Sequence, residues 1–343
     1  MSSILAAVSR GDIVESVHYG HIVVADSTGE VLAYTGNPDT VTYMRSSAKP
    51  IQALNVIISG AAEKFKLNQK ELAILCSSHY GEDMHRDVIH GLLKKFSLPK
   101  EALLCGTPLS IKPDYQKQQL LERHVLEPGN SDCSGKHCGF LAVCLTSGHP
   151  LENYNAPDHP MQKEILSILS DFTETSPDAV PIGVDGCGVP VHAFKVKSMA
   201  QAYARFANPD SLTGKYVKYR EGCRLLFDAV NKEPEMLAGT GGFCTEFLRH
   251  TNGRFIGKLG AEAVYCIGVK DRNIGIAVKI SDGNYRALYP VVMSVLDQME
   301  LLSRKEKEAL KEFANPPVIN DLGNPVGEIM PVFKLKKQAD KGG

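Results

Sequence analysis

The chain has 343 residues, in which 38 lysines and arginines nearly balance 39 aspartates and glutamates. This balance provides neither a basic stripe that would bind nucleic acid nor an acidic tail. No apolar run approaches the roughly 20 residues that a membrane-spanning helix needs, so we expect no membrane association.

The first residues, 1–14, contain a short apolar run without a basic region ahead of it. They therefore do not resemble a secretory signal peptide. The chain also contains nine cysteines, an odd number. We expect reduced thiols in a cytoplasmic protein rather than a disulfide framework.

Two β-rich runs between residues 11 and 36, separated by Ser-Thr-Gly, predict an antiparallel hairpin at the start of a sheet. In residues 45–58 an apolar run with the period of a buried helix follows. A further amphipathic helix is predicted from about Met84 to Phe96. The polar turn ahead of it, residues 77–81, lies at the end of an element, where scaffolds present reactive groups.

The middle of the chain is mostly helical in period and is interrupted by Pro and Gly clusters. Strand character returns in three runs, AVYCIGV, GIAVKI and YRALY, which are separated by the turn sequences KDRN and SDGN. A last helix is predicted from Val291 to about Leu302. The predicted helices of the middle are Gln116–His124, Gly139–Leu145, Met161–Phe172, Ser198–Phe206 and Tyr216–Val230.

These elements predict an α/β (α+β) fold, in which an antiparallel sheet takes strands from both chain ends and a helical middle lies between them. No linker composition separates two cores, so residues 1–343 are predicted to form a single domain with two lobes. The sheet lobe comprises about 10–45 and 255–302, and the mainly helical lobe comprises about 46–250. Residues 334–343 are predicted to be a disordered tail.

Ser46 and Lys49 form a Ser-x-x-Lys pair at the start of the predicted helix. Positions three apart lie on one helix face, so the amine can reach the hydroxyl. A lysine can take the serine proton only when burial or a cationic neighbour such as Arg45 keeps its amine neutral. The pattern is short, and the alternative is a solvated helix lysine without a catalytic role.

Lys258, Leu259 and Gly260 stand directly ahead of a predicted strand. A lysine and a glycine in this position have the place and form of the K-T-G box of Ser-x-x-Lys acyl-transfer enzymes. Leu259 replaces the hydroxyl residue of that box, so a contact to a substrate carboxylate would come from elsewhere. The alternative is an ordinary turn lysine.

Two turns carry clustered thiols. Thiolates gathered on turns indicate zinc, provided that the fold brings the two turns together. The alternative is a set of buried structural thiols, which is how we interpret the cysteines outside these turns. The clustered residues are Cys133, Lys136, His137 and Cys138 in the first turn, and Asp185, Cys187 and His192 in the second.

Five motifs in order, RSSAKPIQAL, CSSHYGE, NSDCSGKHCGFLA, GVDGCGVP and GKLGAEA, together resemble the thermolabile, rhizobial-type L-asparaginase II family. The likeness covers about residues 10 to 330. It implies a serine β-lactamase- and penicillin-binding-protein-like fold, a homodimer, and hydrolysis of L-asparagine to L-aspartate and ammonia.

By position, the resemblance also implies roles for ten residues. They form two serine–lysine tandems, a set of zinc ligands and a set that lines the pocket. The tandems are Ser46 with Lys49 and Ser78 with Lys258; the zinc ligands are Cys133, Lys136 and Cys187; the pocket residues are Arg45, His137 and Asp185.

Hydrolysis of an amide needs a nucleophile, a proton shuttle to the leaving ammonia and donors for the oxyanion, and two Ser-Lys pairs can supply the first two. We therefore expect asparagine hydrolysis through a Ser46 acyl-enzyme, with one zinc ion per chain that orients the substrate. Alternatives within catalysis are L-glutamine hydrolysis and β-lactam turnover, the latter disfavoured by the missing K-T-G hydroxyl and export signal. A non-catalytic zinc or thiol sensor is the alternative from another class.

Overall fold

The computed structural model describes residues 1–337, which divide into two units. Unit 1 comprises Met1–Ser47, Phe194–Asn208 and the described residues from His250 onward. Unit 2 comprises Ala48–Ala193 and Pro209–Arg249.

Strands and helices come in groups along the chain. The strands are β1 (Ser3–Arg10), β2 (Ile13–Ala25), β3 (Val31–Thr35), β4 (Val41–Tyr43), β5 (Ile182–Val184), β6 (Pro190–Lys195), β7 (Phe255–Gly260), β8 (Val264–Val269), β9 (Ile274–Ile280), β10 (Pro317–Ile319), β11 (Pro325–Pro331) and β12 (Lys336–Lys337). The α-helices are α1 (Lys49–Gln52), α2 (Leu54–Ile58), α3 (Ala61–Lys64), α4 (Gln69–Leu75), α5 (Asp83–Phe96), α6 (Pro113–Leu121), α7 (Ser134–Ser147), α8 (Pro160–Thr173), α9 (Val196–Ala207), α10 (Arg220–Lys232), α11 (Pro234–Leu237), α12 (Phe243–Thr251), α13 (Leu288–Gln298) and α14 (Arg304–Ala309).

An antiparallel sheet forms the centre of unit 1. Within residues 1–337 its strand order is β10-β11-β1-β2-β9-β8-β7, and β3 pairs with both β2 and β12. The hairpin of β2 and β3 is the predicted one; its turn is closed by the Asp26 carboxylate, which accepts from the amides of Thr28 and Glu30. Strands from both ends of the chain share the sheet, so the predicted α/β fold class is confirmed.

Helix α9 packs on β8 and β9 of this sheet. Two glycines make the approach close, because a Cβ on Gly275 would overlap the carbonyl oxygen of Ala200, and a Cβ on Gly268 would overlap that of Tyr203. A larger residue at either position would push the helix away from the strands.

Unit 2 is mainly helical and contains the hairpin of β5 and β6. Helix α4 begins at a capping box, in which Asn68 accepts from the Glu71 amide and the Glu71 carboxylate accepts from the Asn68 amide. Helix α7 packs against α4 so closely that a Cβ on Gly135 would overlap the carbonyl oxygen of Ile74. The end of α4 and the start of α7 are therefore fixed side by side.

The predicted strand YRALY is wrong. Residues Tyr285–Ala287 form a 3-10 turn, and α13 begins at Leu288 and ends at Gln298. The Asn284 side chain accepts from the Arg286 amide and caps this turn, so the SDGN sequence starts a helix instead of a hairpin.

The predicted lobe boundaries also need correction. Helix α9 belongs to unit 1, although residues 46–250 were assigned to the helical lobe. The sheet extends beyond residue 302, since β11 pairs with β1. Lys336 and Lys337 of the expected disordered tail pair with β3, and residues 338–343 lie outside the described residues. The prediction of a single domain stays a prediction.

No helix within residues 1–337 combines the length and the apolar character needed to cross a membrane. All nine cysteines lie in this part of the chain and are buried free thiols, as the sequence predicts.

Candidate active site

Ser46 lies in unit 1, in a 3-10 turn, Arg45–Ala48, directly ahead of α1. The turn begins at Arg45, whose φ of +50° is a left-handed conformation that costs an arginine free energy. It is held at Ser47, whose hydroxyl donates to the Met44 carbonyl at 2.6 Å and whose carbonyl accepts from the Tyr203 hydroxyl at 2.6 Å. Ser46, 8% exposed, therefore sits on a rigid turn.

Lys258 lies in the same unit, on β7 rather than on a turn, and is 1% exposed. Its amine donates to the Leu259 carbonyl at 2.8 Å. Gly260 lies against the Ser46 turn, because a Cβ there would be 2.8 Å from the Met44 carbonyl oxygen. The structure thus places the strand of Lys258 beside the turn of Ser46.

In unit 2, the buried Lys49 amine is bonded to the turn that follows α4. It donates to the Ser77 carbonyl at 2.6 Å, the Ser78 hydroxyl at 3.0 Å and the Asp132 carbonyl at 3.4 Å. The Asp132 carboxylate lies 3.6 Å away. A neutral amine in this place can donate to the two carbonyls and accept the Ser78 proton.

The charge state of Lys49 differs from the expectation of a depressed pKa. Burial lowers its pKa, but the nearby acidic groups of Cys133, Asp132 and Cys187 outweigh burial and raise it above the ordinary value. The amine therefore carries a proton at neutral pH, and it must lose that proton before it can act as a base.

The two predicted thiol turns do come together in unit 2. The ligand atoms of Cys133, Asp185 and Cys187 all lie within 4.8 Å of one another. The Lys136 amine donates to the Cys187 sulfur at 3.1 Å and lies 3.7 Å from the Asp185 carboxylate. Cys133 and Lys136 are at the start of α7, whereas Cys187 is on the turn between β5 and β6.

The proton is shared unequally between the two thiols. A hydrogen bond from Cys133, with the nearby Lys136 and His137, holds the pKa of Cys187 far below its ordinary value despite burial. The same hydrogen bond and burial raise the pKa of Cys133. At neutral pH the pair is therefore one thiolate and one thiol, with the Lys136 ammonium beside them.

This donor set fits zinc. A tetrahedral ion with Zn–S bonds of about 2.3 Å and Zn–N bonds of about 2.0 Å places its ligand atoms roughly 3.5–3.8 Å apart. Here the Lys136 amine lies 3.1 Å from the Cys187 sulfur, and the ligand atoms of Cys133, Asp185 and Cys187 lie within 4.8 Å of one another. Lys136 would have to release a proton to become a ligand, since its two thiol neighbours and Asp185 raise its pKa against the effect of burial.

His137 contacts the thiol cluster from the next position of α7. Burial lowers its pKa, so the ring is neutral. Its Nδ1 is hydrogen-bonded to the Tyr154 hydroxyl at 2.6 Å, and within residues 1–337 its buried Nε2 makes no hydrogen bond of normal geometry. The ring is thus held by Tyr154 and interacts with the Cys187 thiol.

Sequence reasoning missed two residues that shape this site. Asp132 supplies a carbonyl and a carboxylate to Lys49, and its position beside Cys133 in the motif was a usable signal. Tyr154 holds His137, but nothing in its local sequence connects it to the site.

A family model described as L-asparaginase II matches residues 6–331, and the chain belongs to this family.

Solved structures show weaker likeness. The chain is 14% identical to Mglu in its native form, over 83% of this chain and 65% of that chain, with a TM-score of 0.38. It thus spans about 65% of the length of that protein. A putative β-lactamase from Bacteroides dorei DSM 17855 is 13% identical over 81% of this chain and 93% of that chain, with a TM-score of 0.43. No match is found among curated proteins.

Proposed function

We propose that this chain is an amidohydrolase that converts L-asparagine to L-aspartate and ammonia through an acyl-enzyme on Ser46. The observation that carries the proposal is the buried Lys49 amine, 3.0 Å from the Ser78 hydroxyl, in a chain of the L-asparaginase II family. A buried amine at this distance from a hydroxyl is suited to proton transfer, and amide hydrolysis needs such a group at each step.

In the proposed reaction the Ser46 oxygen attacks the side-chain amide carbon of asparagine and gives up its proton to a lysine amine. The proton then passes to the leaving nitrogen, so that ammonia departs and an ester on Ser46 remains. Water hydrolyses the ester in the reverse sense and releases aspartate. Lys49 with Ser78 forms one proton relay, and Lys258 is assigned as the second base by its position in the family motif.

The substrate's charged groups need partners of opposite charge. We assign Arg45 to the α-carboxylate, because a guanidinium can bind both oxygens of a carboxylate. Asp185 is assigned to the α-ammonium group, and the buried His137 ring provides a further polar contact. These assignments follow from charge and from the position of the residues in the motifs.

Zinc belongs to the proposal as an orienting ion, one per chain. Cys133, Lys136 and Cys187 would hold it, with Asp185 within reach. Bound there, the ion would offset the thiolate charge and fix the end of the substrate that carries the amino acid groups. The chemistry on the amide is assigned to the serines and lysines.

Release of ammonia from L-asparagine by the purified chain tests the proposal. We expect turnover by the parent and none above background by Ser46→Ala, which removes one hydroxyl and leaves the turn in place. Parallel assays with L-glutamine and with a β-lactam identify the substrate class. A parent that releases no ammonia from asparagine, or a fully active Ser46→Ala, contradicts the proposal. The homodimer and the cytoplasmic location stay predictions.

A further inference from the structure

The backbone of Ser78 is held by a distant loop of unit 2. The Ser78 amide donates to the Leu237 carbonyl at 3.0 Å, and the Tyr80 amide donates to the Ala238 carbonyl at 2.8 Å. These two bonds fix the backbone of the turn at Ser78, which accepts from Lys49, and at Tyr80. Whatever holds residues 237–238 in place therefore also holds the Ser78 hydroxyl.

The loop that follows, residues 239–242, is folded tightly around Tyr80. Gly239 has a φ of +138°, a conformation that favours glycine. A Cβ at Gly239 or at Gly242 would overlap the Tyr80 side chain. The loop thus keeps one shape only while it stays closed against the tyrosine ring.

Glu82 holds this loop closed. Its carboxylate accepts from the Thr240 amide at 3.0 Å and from the Thr240 hydroxyl at 3.3 Å. Lys112 contacts the other side of the same residue, because its amine donates to the Thr240 carbonyl at 2.7 Å. Thr240 is therefore held by the Glu82 carboxylate on one side and by the Lys112 amine on the other.

The side chain of Glu82 makes these bonds from an unusual place. Glu82 is the N-cap residue of α5, yet its side chain makes no capping hydrogen bond to that helix. An acidic N-cap side chain ordinarily accepts from amides of the first turn. Here its carboxylate crosses to Thr240, 158 positions later in the chain.

We propose that Glu82 is a positioning residue for Ser78. It closes the 239–242 loop through Thr240, and the residues just ahead of that loop hold the Ser78 backbone at its distance from Lys49. The inference rests on the proposed function, in which Ser78 and Lys49 relay the proton.

Three substitutions separate this role from capping and from charge. Glu82→Ala removes both hydrogen bonds to Thr240, whereas Glu82→Gln keeps an oxygen of the same reach that can accept from the Thr240 amide. Glu82→Asp keeps the charge and is a good N-cap, but it is one methylene shorter and loses Thr240. Glu82, Glu122 and Thr240 line one cavity of about 540 Å³. Glu122→Ala is therefore the matched control, because it removes a carboxylate from the same cavity at a residue outside the 239–242 loop.

We expect Glu82→Ala and Glu82→Asp to lower kcat for L-asparagine between about 10- and 100-fold, because a small misplacement of a relay group slows chemistry. KM should stay within twofold of the parent value. Glu82→Gln and Glu122→Ala should keep kcat within about threefold. A residue that acted as a cap or a charge would instead be replaced better by aspartate than by glutamine, and this order would overturn the inference.

Amide hydrogen exchange gives a second readout that does not depend on activity. The Ser78 and Tyr80 amides should exchange faster in Glu82→Ala than in the parent and in Glu122→Ala, with the protection of α7 unchanged. A parent without asparaginase activity rejects the proposed function. Faster exchange at these two amides in Glu82→Ala would still support the contact by which Glu82 holds the Ser78 backbone. Unchanged exchange at both amides in a folded Glu82→Ala overturns it.

Discussion

Lys49 is an ammonium group that is almost fully removed from water, at 1% exposure. Burial of an unpaired charge costs several kcal/mol, so the amine stays charged only because acceptors surround it. Two carbonyls, one hydroxyl and the Asp132 carboxylate supply that compensation. The same surroundings decide whether the amine can take a proton, which makes Lys49 the residue on which the chemistry depends most.

We expect Lys49→Met to abolish asparagine hydrolysis, with kcat reduced by about 10³-fold or more. Methionine has a similar length and fills the same space, but it cannot take or donate a proton. Steady-state ammonia release measures the effect, and circular dichroism checks the fold. Turnover near the parent rate in a folded Lys49→Met would transfer the role of base to Lys258.

The raised pKa of Lys49 gives a pH dependence with a definite sign. The amine is inactive as a base while protonated, so kcat/KM should rise with pH through neutrality, by about tenfold per unit at most. Asp132→Asn removes a negative charge that raises this pKa, so the rising limb should move to lower pH. Asp83→Asn, which changes an exposed carboxylate, is the control. A flat profile from pH 6 to about 10 would exclude a lysine base.

The contacts of these residues differ from those that the sequence predicted. The spacing of Ser46 and Lys49 indicated a pair within one helix, and the motif order assigned Ser78 to Lys258. The structure shows the Lys49 amine bonded to Ser78 at 3.0 Å. Spacing along a helix cannot predict this contact, because it depends on how α4 and its following turn pack beside α1.

At the scale of elements, the thiol cluster depends on two segments that meet. The start of α7 supplies Cys133 and Lys136, and the turn between β5 and β6 supplies Cys187. Each segment alone offers too few ligands for zinc, which takes three or four from a protein. The sequence could name candidate ligands, but only the fold brings the sulfur atoms of Cys133 and Cys187 within 4.8 Å.

We expect one zinc ion per chain in protein purified without chelators, and Cys187→Ser should lose it. If the ion orients the substrate, KM rises more than kcat falls, which is the pattern of lost uniform binding. Cys138→Ser, a buried cysteine of the same helix, should keep the metal. Metal analysis tests the site, and an active parent protein that contains no zinc would reject it. Steady-state kinetics test the orienting role, which a folded Cys187→Ser without any turnover would reject.

The close contact of α9 with the sheet should make Gly275 intolerant of any side chain. Gly275→Ala places a Cβ on the Ala200 carbonyl, and we expect it to lower the free energy of unfolding by about 3 kcal/mol. Gly91→Ala is the contrasting substitution, because this exposed glycine of α5 has open space around its Cβ position. It should stabilise by about 0.5–1 kcal/mol. Urea denaturation measures both, and equal effects would contradict the packing argument.

Sequence patterns predicted elements well where local signals agreed with packing. The β2–β3 hairpin and the helix ending at Phe96 follow their predicted positions closely. Strand β11 was missed because Pro325, Gly327 and Pro331 are residues that disfavour strands. It pairs all the same, since Gly327 lets its backbone lie against Ser9 of β1.

At the scale of the whole molecule, the predicted homodimer can be tested by measuring the molecular mass in solution. Light scattering coupled to size exclusion should report the mass of two chains for the purified protein at micromolar concentration. The reason is the family to which the chain belongs rather than any surface described above. A mass of one chain across a hundredfold dilution series would contradict the prediction.

The pairing of β1 with β11 and of β2 with β9 has a consequence for how the protein is made. A ribosome delivers Ser3–Arg10 more than three hundred residues before Pro325–Pro331. Strands β1 and β2 therefore wait for hundreds of further residues to be translated before their partners β11 and β9 exist. Pairing across such long separations is slow, and the waiting strands are open to aggregation. Yield in a bacterial host should consequently depend on translation speed and on chaperones that shield those first strands.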